Sequence, residues 1–101
     1  MVNQINNTAF KTLHFVFGVV DDKNLDEIFR LLPKKAIYYF TRADIPRAMN
    51  EQELAKRAKD FDLIGESYSS VIKAFNAARL VADKNDLIFV GGSTFVVSEI
   101  L

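Results

Sequence analysis

Gly91, Gly92 and Ser93 form the segment of this sequence best suited to holding an anion. A glycine pair lets the backbone turn tightly, so that free N–H groups and the serine hydroxyl can point together at a carboxylate or phosphate. A plain turn that leads into a helix capped by Ser93 is the alternative. Because neither G-x-x-x-x-G-K-S/T nor G-x-G-x-x-G occurs in the chain, we expect no nucleotide site of these two kinds.

A second group of polar residues surrounds Pro46. Arg42 and Arg47 lie on either side of this proline, and Asp44 lies between them. A guanidinium in such a loop can bind a substrate carboxylate through two parallel hydrogen bonds. An ion pair with Asp44 inside the loop is the alternative use of either arginine.

The remaining polar candidates predict structural roles. Asp21 and Asp22 follow an apolar run, where phosphorelay receiver domains place acids that bind Mg²⁺, but no aspartate follows the third such run to accept a phosphate. We therefore expect both to cap a helix and to offset its dipole. His14 lies between apolar neighbours and is expected to be a hydrogen-bonded core residue. With one histidine and no cysteine, the chain predicts neither Cys-His catalysis nor a metal site of its own, and we assign no residue a catalytic role.

Hydrophobic periodicity places these residues on alternating strands and helices. Apolar runs at 12–17, 36–41, 63–68 and 86–90 predict four strands, of which the third is interrupted by Gly65. The segments between them have helical spacing, and a last apolar helix is expected from Ser93 onward. The residues expected on the buried faces of the first three helices are Leu25, Ile28, Phe29 and Leu32; Leu54, Ala58 and Phe61; and Val71, Ile72, Phe75, Ala78 and Ala82.

Single helices between strands, without a hairpin turn, indicate βαβ crossovers. The predicted fold class is therefore α/β, with a mostly parallel open sheet that has helices on both faces. One domain over residues 1–101 accounts for every predicted element. In such sheets ligands bind beyond the carboxyl ends of the strands, which is where the glycine pair and the arginine loop are expected.

Composition limits the partners of this domain. Thirteen Lys and Arg balance thirteen Asp and Glu, so the formal net charge is zero and neither nucleic acid nor an anionic membrane surface is an expected partner. No apolar run approaches the ~18 residues needed to cross a bilayer, and the first ten residues lack the basic and apolar regions of a secretory signal. We therefore expect a cytoplasmic protein.

Three segments together resemble one known family. They are L-H-F-V-F-G-V-V-D-D-K-N at 13–24, Y-Y-F-T-R-A-D-I-P-R-A at 38–48, and D-L-I-F-V-G-G-S-T-F-V-V-S-E-I-L at 86–101. In order and approximate spacing they resemble the C-terminal domain of folylpolyglutamate synthase. That family includes the bifunctional dihydrofolate synthases and belongs to the Mur ligase superfamily. The resemblance implies a Rossmann-like sheet of the Mur ligase C-terminal type.

The resemblance also implies an activity. Members of this family join a carboxyl group of a folate to the amine of L-glutamate at the expense of ATP. ATP phosphorylates the carboxylate, the amine attacks the acyl phosphate, and phosphate leaves. ATP and Mg²⁺ are then cofactors of the full-length enzyme, bound mainly by an N-terminal ATPase domain that these 101 residues do not include. L-Glutamate, folate and ATP are the implied partners, and the 101 residues alone are expected to be inactive and to hold no cofactor.

Site residues follow from the same resemblance. Ser93 and Phe95 match positions thought to face the incoming glutamate, although many members carry a tyrosine where Phe95 stands. Arg47 matches the arginine of the family's P-R-A loop and is the candidate contact for a substrate carboxylate. The residues expected to shape the loops around this cleft are Gly18, Asp22, Lys23, Gly91 and Gly92.

Two other functions remain open at this stage. A stand-alone α/β module that binds or regulates without catalysis would have the same pattern of elements. A different Mur-type ligase, such as one acting on peptidoglycan precursors, is the third possibility, although such enzymes usually have a longer C-terminal domain. An adjoining P-loop domain would favour a ligase, whereas its absence would favour the stand-alone module.

Overall fold

The computed structural model describes residues 12–20, 25–46, 48–92, 96–97 and 99. Within these residues strands and helices alternate in the predicted order. Among the described residues, no helix has the length and apolar character needed to cross a membrane. The elements are β1 (Leu13–Phe17), α1 (Leu25–Leu31), β2 (Ala36–Phe40), α2 (Glu51–Lys59), β3 (Gly65–Ser67), α3 (Val71–Val81) and β4 (Leu87–Gly91).

The four strands form one parallel sheet in the order β3-β2-β1-β4, which confirms the predicted α/β class. The register places Phe15 of β1 opposite Tyr38 of β2 and Phe89 of β4. The chain moves outward from β1 through β2 to β3 and then returns to add β4 on the other side of β1. The strand order therefore reverses between β1 and β4, which is the topological switch point of this sheet.

Both faces of the sheet are covered by helices, as predicted. Side chains of a strand alternate between faces, so Phe15 and Phe17 of β1 point toward α1 and α2, whereas Val16 points toward α3. On the α3 side the contact with the sheet is made by Ala74 and Ala78. These small residues let α3 approach a sheet surface that already carries tyrosines, Tyr39 and Tyr68.

Several predicted details of the elements are wrong. The buried face of α3 consists of Val71, Ala74 and Ala78, whereas Ile72 is 48% exposed and Ala82 is the residue that ends the helix. Phe61 lies beyond the end of α2 and reaches the core from a turn, 5.2 Å from the ring of Phe29 between centroids. The strand predicted over 63–68 is reduced to three residues at the sheet edge.

His14 is a buried, hydrogen-bonded core residue, as predicted. Its Nδ1 lies 2.9 Å from the hydroxyl of Tyr39, and its Nε2 lies 2.8 Å from Oδ2 of Asp86. Because an ionised carboxylate only accepts hydrogen bonds, Nε2 carries a proton. The imidazole thus joins the middle of β1 to β2 and to the residue before β4.

Polar side chains cap the first turns of α2 and α3. Oδ1 of Asn50 accepts the N–H groups of Gln52 and Glu53 at 2.9 and 3.0 Å, and Oγ of Ser70 accepts the N–H of Lys73 at 3.2 Å. Each cap satisfies amides that have no partner within the first turn. The caps fix the points at which the chain leaves the carboxyl edge of the sheet and enters α2 and α3.

Candidate functional site

The segments that leave the strands meet at the carboxyl edge of the sheet, because all four strands are parallel. Thr41 joins three of them: its N–H donates to the carbonyl of Phe17 at 2.9 Å, and its hydroxyl donates to the carbonyl of Tyr68 at 3.1 Å. The N–H of Tyr68 in turn donates to the carbonyl of Phe40 at 2.8 Å. Since Thr41 is fully buried, this network is shielded from water and fixes the ends of β1, β2 and β3 relative to one another.

Glycines line the switch point between β1 and β4. The N–H of Gly18 faces the carbonyl of Gly91 across a long contact of 3.4 Å. A Cβ on Gly18 would lie 2.7 Å from the carbonyl oxygen of Thr41, and a Cβ on Gly92 would collide with the carbonyl oxygen of Gly18. Gly92 also has φ +99°, a conformation that other residues rarely adopt. The structure thus brings together Gly18, Gly91 and Gly92, with main chain packed on main chain.

The segment after β2 folds into a compact loop. Ala43 is buried, the N–H of Ala48 donates to the carbonyl of Ile45 at 3.1 Å, and Nη2 of Arg42 lies 3.5 Å from the same carbonyl. The N–H of Met49 donates to the carbonyl of Val19 at 3.0 Å, which attaches the end of the loop to the segment after β1. The described contact of Arg42 is therefore with its own loop.

The chain beyond β4 packs onto this same loop. Val96 is buried in a cluster with Ala43 and Val71. Further along, Oε2 of Glu99 accepts the N–H of Asp44 at 2.5 Å. The loop after β2 and the segment after β4 are consequently held against each other at the carboxyl edge.

Comparison with known proteins identifies the family. Residues 1–94 match the family model described as "Mur ligase, glutamate ligase domain". The chain belongs to this family. The glutamate ligase domain is 32% identical over 91 residues to a probable bifunctional folylpolyglutamate synthase/dihydropteroate synthase of Haloferax volcanii. That match covers 89% of this chain and 11% of the relative, so the chain spans only a small part of the protein that it resembles.

Solved structures share the fold of the glutamate ligase domain. The ligand-free bifunctional folylpolyglutamate synthase/dihydrofolate synthase of Yersinia pestis superposes with a TM-score of 0.82 at 23% identity, covering 98% of this chain and 24% of that one. The same enzyme complexed with AMPPNP and Mn ion gives 0.75 at 23% identity, covering 88% and 21%. E. coli FolC in complex with DHPP and ADP gives 0.76 at 20% identity, covering 98% and 23%.

The candidate contacts for glutamate lie outside the described residues of the glutamate ligase domain. These residues are Arg47, Ser93 and Phe95, and the loop residues Asp22 and Lys23 lie outside them as well. The described residues next to them, Pro46, Ala48 and Gly92, lie in the segments that meet at the carboxyl edge. The roles expected for all eight site residues stay predictions.

Sequence reasoning missed three residues that organise this edge: Thr41, Val96 and Glu99. Thr41 is the last residue of the strand predicted over 36–41 and directly follows the observed β2, so its place at the strand end is a usable indication. Glu99 had none, because the N–H that it accepts is 55 residues away in sequence. Val96 was expected in a helix without an assigned partner.

Among the described residues, no three His, Asp or Glu side chains cluster closely enough to hold a metal ion. Burial raises the pKa of Tyr39, and the neighbouring Tyr68 and Asp86 raise it further, so this hydroxyl stays protonated at neutral pH. The carboxyl edge of the sheet presents main chain and loop side chains that hydrogen bonds and packing hold in place. Such an arrangement suits binding and orienting a ligand.

Proposed function

We propose that this domain is the C-terminal, glutamate-binding domain of an ATP-dependent amide ligase of folate metabolism. The activity is that of folylpolyglutamate synthase, with dihydrofolate synthase as an additional activity of the same enzyme. The observation that carries the proposal is the family match over residues 1–94, joined to the 32% identity with a relative named as a folylpolyglutamate synthase. L-Glutamate and folate are its substrates.

The role of this domain in the reaction is to bind glutamate and to orient its amine. Arg47 contacts a glutamate carboxylate, because a guanidinium matches that group in both charge and geometry. Ser93 and Phe95 face the same substrate from the segment after β4. The coupling of the two segments through Val96 and Glu99 supports a shared substrate, since the loops that carry these residues are held together.

The five remaining site residues shape the loops. Gly18, Gly91 and Gly92 let the segments after β1 and β4 approach each other, and their close packing supports this role. The role that we propose for Asp22 and Lys23, which follow β1 in sequence, is likewise to shape a loop.

ATP and Mg²⁺ belong to another domain of the enzyme. The described residues provide neither a three-ligand metal cluster nor a phosphate-binding motif, so they do not fit these groups. The chain also spans only 11% of the Haloferax relative and 21–24% of the solved chains. Most of each of those proteins therefore lies outside the matched region, and a separate ATP-binding domain can lie there. We therefore assign cofactor binding to an N-terminal ATPase domain that acts together with residues 1–101. The cytoplasmic location stays a prediction from the sequence.

A glutamate titration of the full-length ligase that contains this domain tests the assignment. The assay follows ATP- and folate-dependent incorporation of labelled glutamate. We expect Ser93→Ala to raise the KM for glutamate about three- to tenfold, the equivalent of one lost hydrogen bond, with little change in the KM for ATP. Ser69→Ala removes the exposed hydroxyl that Lys73 contacts at 3.2 Å and serves as the matched control with an unchanged KM. An unchanged glutamate KM in Ser93→Ala would remove this residue from the substrate site.

A further inference from the structure

Glu99 links the segment after β4 to the loop after β2. Its carboxylate accepts the main-chain N–H of Asp44, which lies in the loop after β2. Asp44 is three residues before Arg47, the arginine proposed to bind glutamate. The contact therefore acts on the segment that must place this guanidinium.

The main chain of the loop has few other anchors. Pro46 has no N–H to donate, and the described bonds of Ile45 and Ala48 go to carbonyls within the loop itself. The N–H of Met49 attaches the far end of the loop to Val19. At the start of the loop, Thr41 is bonded to Phe17 and Tyr68. Between Arg42 and Pro46, the described hydrogen bond that reaches another segment of the chain is the one from Asp44 to Glu99.

Packing of Val96 also holds the segment that carries Glu99. Three residues earlier, Val96 is buried at 1% exposure between Ala43 and Val71. Its Cγ2 lies 3.0 Å from the point that a Cβ on Gly18 would occupy, so Val96 rests directly on the switch point. The hydrogen bond from Asp44 to Glu99 thus holds the loop after β2 in place relative to the segment after β4.

We propose that Glu99 is a positioning residue for the glutamate site. By accepting the N–H of Asp44, it ties the loop after β2, whose sequence leads to Arg47, to the segment after β4, in whose sequence Ser93 and Phe95 lie. This inference rests on the proposed function. The hydrogen bond, and not the charge, is the operative feature, because a carboxylate turned toward glutamate would repel the carboxylates of that substrate.

Three substitutions of Glu99 separate the hydrogen bond from the charge. In the full-length ligase, Glu99→Ala and Glu99→Met remove the acceptor, and the methionine retains the length of the side chain. We expect both to raise the KM for glutamate about three- to tenfold with kcat changed less than about twofold. Glu99→Gln retains an acceptor oxygen and is expected to stay within about twofold of wild type. Glu27→Ala, on the exposed surface of α1, is the matched control.

Hydrogen exchange of the Asp44 amide gives a readout that does not depend on catalysis. Measured by NMR on the 101-residue chain, exchange at Asp44 should accelerate about three- to tenfold in Glu99→Ala and Glu99→Met and stay near wild type in Glu99→Gln. Unchanged exchange in both apolar variants, or a glutamate KM in Glu99→Gln as high as in Glu99→Ala, would overturn the inference. A wild-type ligase that incorporates no glutamate, together with the expected exchange pattern, would refute the proposed function and with it the role of Glu99 in a glutamate site.

Discussion

At the scale of single residues, His14 shows what apolar sequence neighbours can and cannot reveal. Its place between leucine and phenylalanine predicted burial, which the structure confirms. Its partners Tyr39 and Asp86 lie 25 and 72 residues away, so no local pattern could identify them. The buried environment of a residue was thus predictable from short-range sequence, whereas its hydrogen bonds depend on how the strands are ordered.

Tyr38 provides a prediction about stability at alkaline pH. Its ring is fully buried, its hydroxyl donates to the carbonyl of Pro33 at 2.6 Å, and burial raises its pKa well above the ordinary value of about 10. Below pH 10 the tyrosine is protonated in both the folded and the unfolded chain, so its contribution to stability is complete. Above pH 10 the unfolded chain loses the proton first, and the free energy of unfolding falls by up to about 1.4 kcal/mol per pH unit.

Urea unfolding between pH 8 and pH 11 measures this effect. We expect Tyr38→Phe to have a shallower loss of stability above pH 10 than the wild type, although its stability at pH 8 is lower because a hydrogen bond is lost. Lysines titrate in the same range in both proteins and therefore cancel in the comparison. Parallel pH profiles of the two proteins would contradict the assignment of the alkaline loss to Tyr38.

At the scale of elements, the order of strands and helices was predictable, and their packing was less so. The spacing of apolar residues located every described strand, because periodicity is a local property. The same spacing predicted that Ile72 is on the buried face of α3 and did not include Ala74, whereas the structure exposes Ile72 and buries Ala74. The reason is that hydrophobicity alone favours the larger side chain. The aromatic side chains already on the sheet leave room there for alanine, and this constraint comes from β2 and the segment after β3, not from α3.

The turn after β4 yields a prediction at this scale. An alanine at position 92 would have to adopt φ +99°, and its Cβ would press on the carbonyl of Gly18 and approach the ring of Phe17 at 2.9 Å. We expect Gly92→Ala to lower the free energy of unfolding by about 1–3 kcal/mol. Urea denaturation of the 101-residue chain provides the measurement.

The control for this change is Asn85→Ala, at the exposed turn before the same strand, which should alter stability by less than about 0.5 kcal/mol. In the full-length ligase, Gly92→Ala should also raise the KM for glutamate, because the turn leads directly to Ser93. A variant with wild-type stability would show that the close approach of Gly92 to Gly18 is not a constraint on this turn.

At the scale of the whole molecule, the site depends on the order β3-β2-β1-β4. This order brings the segment after β4 beside the segment after β1 and against the loop after β2. The sequence predicted that these segments share one edge, because parallel strands require it. It could not predict which segments are neighbours, because the return of the chain to the free side of β1 depends on packing across the sheet. Glu99 and Val96 were missed for the same reason.

The most direct test of the central claim is the transfer of glutamate itself. Residues 1–101 are joined to an ATP-binding domain of the same family, and incorporation of labelled L-glutamate into folate is measured with ATP and Mg²⁺. We expect incorporation that requires ATP, folate and this domain together. A folded protein that binds ATP and incorporates no glutamate, or an ATP-binding domain that incorporates as much glutamate without residues 1–101, would contradict it.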